Sequence, residues 1–119
     1  MKSNRTGIAR IQHAFIYSAK GFSAAWKNEA AFRQEVVACL LLIPLALWLG
    51  ESNAEKGFLV LVLLLVLLTE LFNSAIEAIV DRVGDEYHEL SGRAKDIGSA
   101  AVLLSIFTVI VVWGVVLLF

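Results

Sequence analysis

Five polar side chains share one stripe of a helix whose preceding residues suit a membrane interior. An uninterrupted apolar run, residues 57–69, is followed by Glu70, Asn73, Ser74, Glu77 and Asp81. Steps of three, four and seven residues return to roughly the same angle on an α-helix, so these side chains face one way. An ionisable group at membrane depth is costly, which makes this polar stripe a functional-site candidate.

The depth of the carboxylates changes along the polar stripe. If Gly57 lies near the outer interface, Glu70 lies ~20 Å along the helix and ~10 Å inside the cytoplasmic edge of a ~30 Å apolar core. Glu77 lies ~10 Å further along, at that edge. Glu70 is therefore a candidate general base for a hydroxyl held at headgroup depth. For Glu70 alone, a protonated acid that hydrogen-bonds another helix is an equal alternative, and the rest of the stripe favours catalysis.

Oxygen ligands for a divalent cation are available on the same side. Glu77 and Glu29, each at the cytoplasmic end of a predicted helix, offer the carboxylates that hard cations prefer, although two solvated acids are the alternative for either one alone. The sequence has no glycine-rich phosphate loop, so a metal and side chains would have to hold any nucleotide phosphates. Further donors and acceptors that could do so, or could belong to an ordinary surface loop, are Glu86, Tyr87, His88, Arg93, Lys95 and Asp96.

Composition identifies the kind of chain that must position these groups. A length of 119 residues allows one small domain, residues 1–119, and 59% of them are hydrophobic. A mean hydropathy of +0.77 exceeds that of ordinary soluble domains and predicts an integral membrane protein. The single cysteine, Cys39, excludes an intrachain disulfide.

Apolar periodicity predicts an all-α membrane protein with four helical segments. Residues 7–26 are amphipathic with flanking cations, which is typical of a helix lying in the membrane surface, and packing against the protein's own helices is an equal alternative. Three transmembrane helices are predicted at about 28–49, 57–82 and 97–118. Nine Lys and Arg lie in the N-terminal and 82–96 segments against one in the 50–56 turn. The positive-inside rule therefore predicts an N-in, C-out topology.

Two segments are specific enough to indicate a family. The sequences NEAAFRQE at residues 28–35 and ELFNSAIEAIVDRVGDEYHELSGRAKDIGSAAV at residues 70–102 closely resemble the small integral-membrane prokaryotic diacylglycerol kinases. The resemblance extends over essentially the whole chain, including the amphipathic start with Tyr17. The second segment is much more specific than any short motif.

The resemblance implies an assembly and a reaction. It implies a homotrimeric bundle of three-span subunits, each with a surface helix, and active sites shared between neighbouring subunits. The implied reaction transfers the γ-phosphoryl group of MgATP to the free hydroxyl of diacylglycerol and yields phosphatidic acid. The implied location is the bacterial inner (cytoplasmic) membrane, with the active site on the cytoplasmic side. No nucleic-acid partner is expected.

The resemblance also implies roles for individual residues. It assigns Glu70 as the catalytic base, Glu29 and Glu77 as the Mg²⁺ ligands, and Asn73 as a support of the stripe. The implied ATP contacts are Arg10, Tyr17, Glu29, Glu77, Glu86, Tyr87, His88, Lys95 and Asp96. The implied lipid contacts are Arg10, Ala31, Phe32, Arg33, Gln34, Glu35, Trp48, Glu70, Ser99 and Trp113.

Three other functions compete with this hypothesis. A kinase of the same fold acts on undecaprenol, a long isoprenoid alcohol, and is the runner-up. A proton-coupled transporter or channel would also place carboxylates in a membrane, yet it needs a polar path, and residues 57–69 offer only Thr69. A purely structural membrane protein would tolerate replacement of Glu70 by glutamine.

Overall fold

Four α-helices account for almost all of the described chain. The computed structural model describes residues 6–84 and 88–119. The helices are α1 (Gly7–Asn28), α2 (Ala30–Leu49), α3 (Asn53–Val83) and α4 (Glu89–Leu118). No β-strand occurs within these two ranges, which confirms the all-α prediction. Glu86 and Tyr87, two predicted ATP contacts, lie outside the described residues.

Three of the helices are long and apolar enough to cross a membrane. The most apolar 18-residue stretch of each helix has a mean hydropathy of 1.7 in α2, 2.4 in α3 and 2.8 in α4. The 31 residues of α3 correspond to ~46 Å, which exceeds a ~30 Å apolar core. A helix of this length can therefore carry side chains both within the membrane and beyond it.

Helix α1 has little packing within the chain. Its only buried residue is Ala25, and large apolar side chains such as Ile8 (76% exposed) and Phe15 (74% exposed) remain uncovered. Helix α1 contacts α2 far less extensively than α3 contacts α2 or α4. An uncovered apolar face on a helix with flanking cations is typical of a helix lying in a membrane surface.

Helices α1 and α2 meet at an elbow formed by one residue, Glu29. Its φ of −118° and ψ of 103° are extended, so the helix breaks there. The Arg33 guanidinium Nη1 folds back and donates hydrogen bonds to the carbonyls of Trp26 at 2.7 Å and Lys27 at 3.3 Å. A cation that binds the last carbonyls of a helix satisfies acceptors that the helix leaves unpaired. Arg33 thereby holds the elbow that carries Glu29.

The core of the chain runs along α3, which packs against α2 and α4. The buried residues of α3 recur at steps of three and four, and they are Leu59, Val62, Leu63, Val66, Glu70 and Asn73. The apolar core stripe and the predicted polar stripe are therefore one continuous face. Glu70 and Asn73 occupy positions that an ordinary bundle would fill with leucine or valine.

The opposite end of α3 is fixed by a capping residue and a cross-helix hydrogen bond. The Ser52 Oγ accepts a hydrogen bond from the Glu55 N–H at 3.1 Å, so α3 begins at Asn53, four residues before the predicted span. The indole N–H of Trp113 donates to the Leu59 carbonyl at 3.2 Å. Gly50 permits the tight turn before α3, because a Cβ there would lie 2.9 Å from the backbone nitrogen of Lys56.

Replacement of Arg33 by alanine tests the elbow. We expect Arg33→Ala to lower the free energy of unfolding by about 1 kcal/mol, since a charge-assisted hydrogen bond to a partly exposed carbonyl is lost. Amide hydrogen exchange of residues 27–30 should become faster in detergent micelles. Arg33→Lys, which keeps a cation, is the matched control and should lose less. An unchanged rate of amide hydrogen exchange in Arg33→Ala would contradict the role of Arg33 in holding the elbow.

Candidate active site

Burial decreases along the polar stripe of α3. Glu70 is 5% exposed and Asn73 is 8% exposed, whereas Glu77 is half-buried and Asp81 is exposed. The structure thus places a desolvated carboxylate and a more accessible one on the same face. Such a gradient can join an apolar reactant to a water-soluble one.

Asn73 connects the buried and accessible parts of the stripe. Its side-chain Nδ2 donates a hydrogen bond to Glu77 Oε1 at 3.3 Å. Its Oδ1 is buried and accepts no hydrogen bond from any described residue. The same oxygen lies against Gly98 of α4, where a Cβ would collide with it. Asn73 therefore supports Glu77 from one side and meets α4 on the other.

Three carboxylates converge near the elbow. The charges of Glu77 and Glu29 are close enough to Glu70 to repel it, so residues from the elbow and from α3 form one acidic cluster. Like charges brought together stabilise a bound cation. The described ranges contain no group of three or more His, Cys, Asp or Glu side chains that could hold a metal ion. Mg²⁺ needs only one or two protein carboxylates when phosphates and water complete its coordination, so Glu29 and Glu77 fit that role.

Helix α2 contributes a fourth carboxylate to this cluster. Glu35 is half-buried and lies close enough to Glu70 for their charges to repel. Its Oε2 is buried and has no hydrogen-bond partner among residues 6–84 and 88–119. An unpaired acceptor beside Glu70 is suited to a hydroxyl donor. The predicted lipid contact at Glu35 therefore adjoins the predicted base.

Lys95 lies at the accessible end of the polar stripe. Its Nζ is 2.6 Å from Asp81 Oδ1, and the two side chains are 44% and 64% exposed. The charge of Lys95 is also close enough to interact with that of Glu77. Asp81 was on the predicted stripe but had no predicted role. Its spacing of four residues after Glu77 gives its place on the stripe, whereas its pairing with Lys95 depends on the packing of α4 against α3.

No hydrogen bond or ion pair among the described residues joins the other described ATP candidates to this cluster. The Nδ1 of His88 accepts a hydrogen bond from the Leu90 N–H at 3.1 Å and caps α4. Asp96 lines a separate surface depression on α4 together with Arg93. Arg10 and Tyr17 are exposed on α1. In a single chain the cluster is therefore made by the elbow, α2, α3 and Lys95.

The predicted lipid contacts are distributed over several surfaces. Phe32 is buried, while Trp48 is 79% exposed. Trp113 is half-buried against α3 through its indole hydrogen bond. Ala31, Gln34 and Ser99 are exposed. Of these predicted lipid contacts, Glu35 and Glu70 are the pair whose charges lie close enough to interact.

A groove of about 530 Å³ lies between α1 and α3 beside the elbow. Its size falls within the range of small-molecule sites. The walls are mostly small or apolar, and the polar residues among them are Ser18, Asn28, Glu29 and Ser74. Glu29 is therefore shared between the acidic cluster and an open space that could receive part of a ligand.

Comparison with known proteins identifies the family. The family model described as prokaryotic diacylglycerol kinase matches residues 16–117. The diacylglycerol kinase of Escherichia coli (strain K12) is 54% identical over 117 residues, which cover 98% of this chain and 96% of the relative. The enzyme of the same name from Pseudomonas aeruginosa is 49% identical over 114 residues, covering 96% and 93%. That from Haemophilus influenzae is 47% identical over 114 residues, covering 96% and 97%. The chain belongs to the prokaryotic diacylglycerol kinase family.

Proposed function

We propose that the chain is a lipid kinase that transfers the γ-phosphoryl group of MgATP to the hydroxyl of diacylglycerol, giving phosphatidic acid. Family membership supports the kinase reaction, and the similarity to diacylglycerol kinases of known name supports the lipid. The structural observation that carries the proposal is a buried carboxylate, Glu70, on a helix apolar enough to span a membrane, beside the more accessible Glu29 and Glu77.

In the proposed reaction Glu70 accepts the proton of the lipid hydroxyl. The hydroxyl oxygen forms a bond to the γ-phosphorus, the bond from that phosphorus to the bridging oxygen breaks, and ADP leaves. Glu35, with its unpaired buried oxygen, accepts a hydrogen bond that orients the hydroxyl. Phosphoryl transfer depends mostly on positioning and charge stabilisation, so these two carboxylates need to act only at the hydroxyl end.

The nucleotide end of the proposed site is formed by the accessible residues. Glu29 and Glu77 hold Mg²⁺, which when bound neutralises phosphate charge. Asn73 orients Glu77 through its 3.3 Å hydrogen bond. Lys95, held by Asp81 in the chain alone, faces the phosphates and balances their charge.

A homotrimer with shared active sites accounts for the remaining predicted contacts. Arg10, Tyr17 and Asp96 are exposed, and no hydrogen bond or ion pair within the described residues joins them to the acidic cluster of their own chain. A neighbouring chain can bring such residues to the cluster. The distribution of Lys and Arg supports an N-in, C-out subunit in the bacterial inner membrane, with the site facing the cytoplasm.

A transporter or channel is disfavoured by the core of α3. Its buried face from Leu59 to Val66 is entirely apolar, so α3 itself offers no polar path from Glu70 toward its other end. Protons or ions crossing a membrane need polar or charged groups along their route. The polar face is confined to one end, as a site for a membrane-embedded reactant requires.

Replacement of Glu70 by glutamine tests the proposed base. We expect Glu70→Gln to lower kcat for lipid phosphorylation by about 10²–10⁴-fold, because an amide cannot take the hydroxyl proton. The measurement uses diacylglycerol in mixed micelles with labelled ATP. Glu51→Gln, at an exposed turn, is the control and should keep full activity. Turnover retained in Glu70→Gln, with the oligomer intact by gel filtration, would remove Glu70 as the base.

Separate variants test the proposed metal ligands. We expect Glu29→Gln and Glu77→Gln each to raise the Mg²⁺ concentration for half-maximal activity by about tenfold or more, since a coordinating oxygen is weakened. Titration of Mg²⁺ at fixed ATP gives this concentration. The residual activity of Glu70→Gln should retain the wild-type Mg²⁺ dependence. An unchanged Mg²⁺ requirement in both metal-ligand variants would contradict their assignment.

A direct substrate comparison tests the lipid. We expect the purified protein to phosphorylate diacylglycerol in preference to undecaprenol when each is presented in the same detergent with labelled ATP. The products are separated by thin-layer chromatography. Phosphorylation of the isoprenoid alcohol alone would overturn diacylglycerol as substrate and favour undecaprenol.

A further inference from the structure

We propose that Gly98 is a positioning residue of the reaction, because the space left by its missing side chain holds Asn73 in the rotamer that supports Glu77. The inference rests on the proposed function in one respect, the assignment of Glu77 as a Mg²⁺ ligand. Its geometric part, the placement of Asn73 by Gly98, stands on contacts between α3 and α4.

The contact at Gly98 involves one side chain above all. A Cβ built on Gly98 would collide with Asn73 Oδ1 and would lie 3.3 Å from Asn73 Cγ. The next atom, Ile76 Cδ1, is 3.8 Å away, which is an ordinary van der Waals distance. Gly98 lies within α4 and has no positive φ. Steric room for Asn73, and not backbone freedom, is therefore what glycine provides here.

Asn73 carries the effect from Gly98 to Glu77. Its buried Oδ1 accepts no hydrogen bond from the described residues, and it occupies the space that the Cβ of a larger residue at position 98 would need. The Nδ2 of the same amide donates to Glu77 Oε1 at 3.3 Å. Because the amide group is planar, displacing Oδ1 must also move Nδ2 away from Glu77.

The atom that a Cβ at position 98 would meet determines the effect of a larger residue there. The colliding atom is the end of a side chain, which can rotate, whereas at Gly50 a Cβ would meet the backbone of Lys56. A methyl group at position 98 can therefore be accommodated without separating the helices, provided that Asn73 leaves its rotamer. The expected defect is a misplaced Glu77 in a folded protein.

The first test compares alanine at two glycines of α4. Gly114 has nothing within 4 Å of its Cβ position, so Gly114→Ala is the matched control for Gly98→Ala. We expect Gly98→Ala to raise the Mg²⁺ concentration for half-maximal lipid phosphorylation by about tenfold, as loss of a residue that orients a metal ligand does. Gly114→Ala should match the wild type. A fall in kcat with an unchanged Mg²⁺ requirement would overturn the proposal.

The second test measures the NMR signals of the Asn73 side-chain amide and does not depend on an activity assay. In ¹⁵N-asparagine-labelled, metal-free protein in micelles, Gly98→Ala should shift the Asn73 side-chain amide signals and leave those of Asn28 and Asn53 in place. The Asn73 signals are assigned by their loss in Asn73→Ala. Unshifted Asn73 signals would overturn the geometric step. Shifted signals in a protein that phosphorylates no lipid would instead leave that step intact and refute the proposed function.

A double variant separates positioning from simple helix packing. In an Asn73→Ala background the obstacle is gone, so adding Gly98→Ala should not change the Mg²⁺ requirement further or lower the thermal unfolding midpoint. Suppose that Gly98→Ala lowers the thermal unfolding midpoint and raises the Mg²⁺ requirement as much in the Asn73→Ala background as in the wild type. Gly98 would then serve only the close packing of α4 on α3, and the proposal would be wrong.

Discussion

The cost of burying a carboxylate shapes this chain. Helix α3 is apolar enough to cross a membrane, yet Glu70 sits on its most buried face, where α2 and α4 pack. A carboxylate facing lipid would lose all polar contacts, so it must face the interior of the bundle. Turning the polar stripe inward places it against other helices, which must then provide partners or room. Glu35 of α2 lies close to Glu70, and Gly98 of α4 leaves room for Asn73 on the same stripe.

The two accessible carboxylates, Glu29 and Glu77, are held by different physical means. Glu29 lies at a break between helices, and the Arg33 guanidinium stabilises that break by binding the last carbonyls of α1. Glu77 lies within a continuous helix and is oriented through Asn73, whose other end meets Gly98. Both devices act on the position of an oxygen and leave its charge unchanged, which suits phosphoryl transfer, where orientation and charge placement do most of the work.

The sequence was sufficient for features that depend on periodicity. The three apolar helices follow from hydropathy, and the stripe from Glu70 to Asp81 follows from steps of three and four residues. A boundary between the first two helices was predicted between residues 26 and 28, and the break lies at Glu29. NEAAFRQE has no helix-breaking residue that would mark the exact position, and the contact from Arg33 back to Trp26 depends on the folded elbow. The roles of Asp81 and Gly98 depend on which residues of α4 face α3, and sequence spacing within one helix carries no information about that register.

The single chain is more complete at the hydroxyl end of the proposed site than at the nucleotide end. Glu70 and Glu35 come together through the packing of α2 on α3, a contact that one subunit can make. By contrast, Asp96 follows Lys95 directly, so helical geometry turns it ~100° away, toward a surface that includes Arg93. Lys95 pairs with Asp81 of α3, whereas Asp96 lies on a different surface of α4, so the packing of α4 on α3 brings only the first of these two residues to the polar stripe.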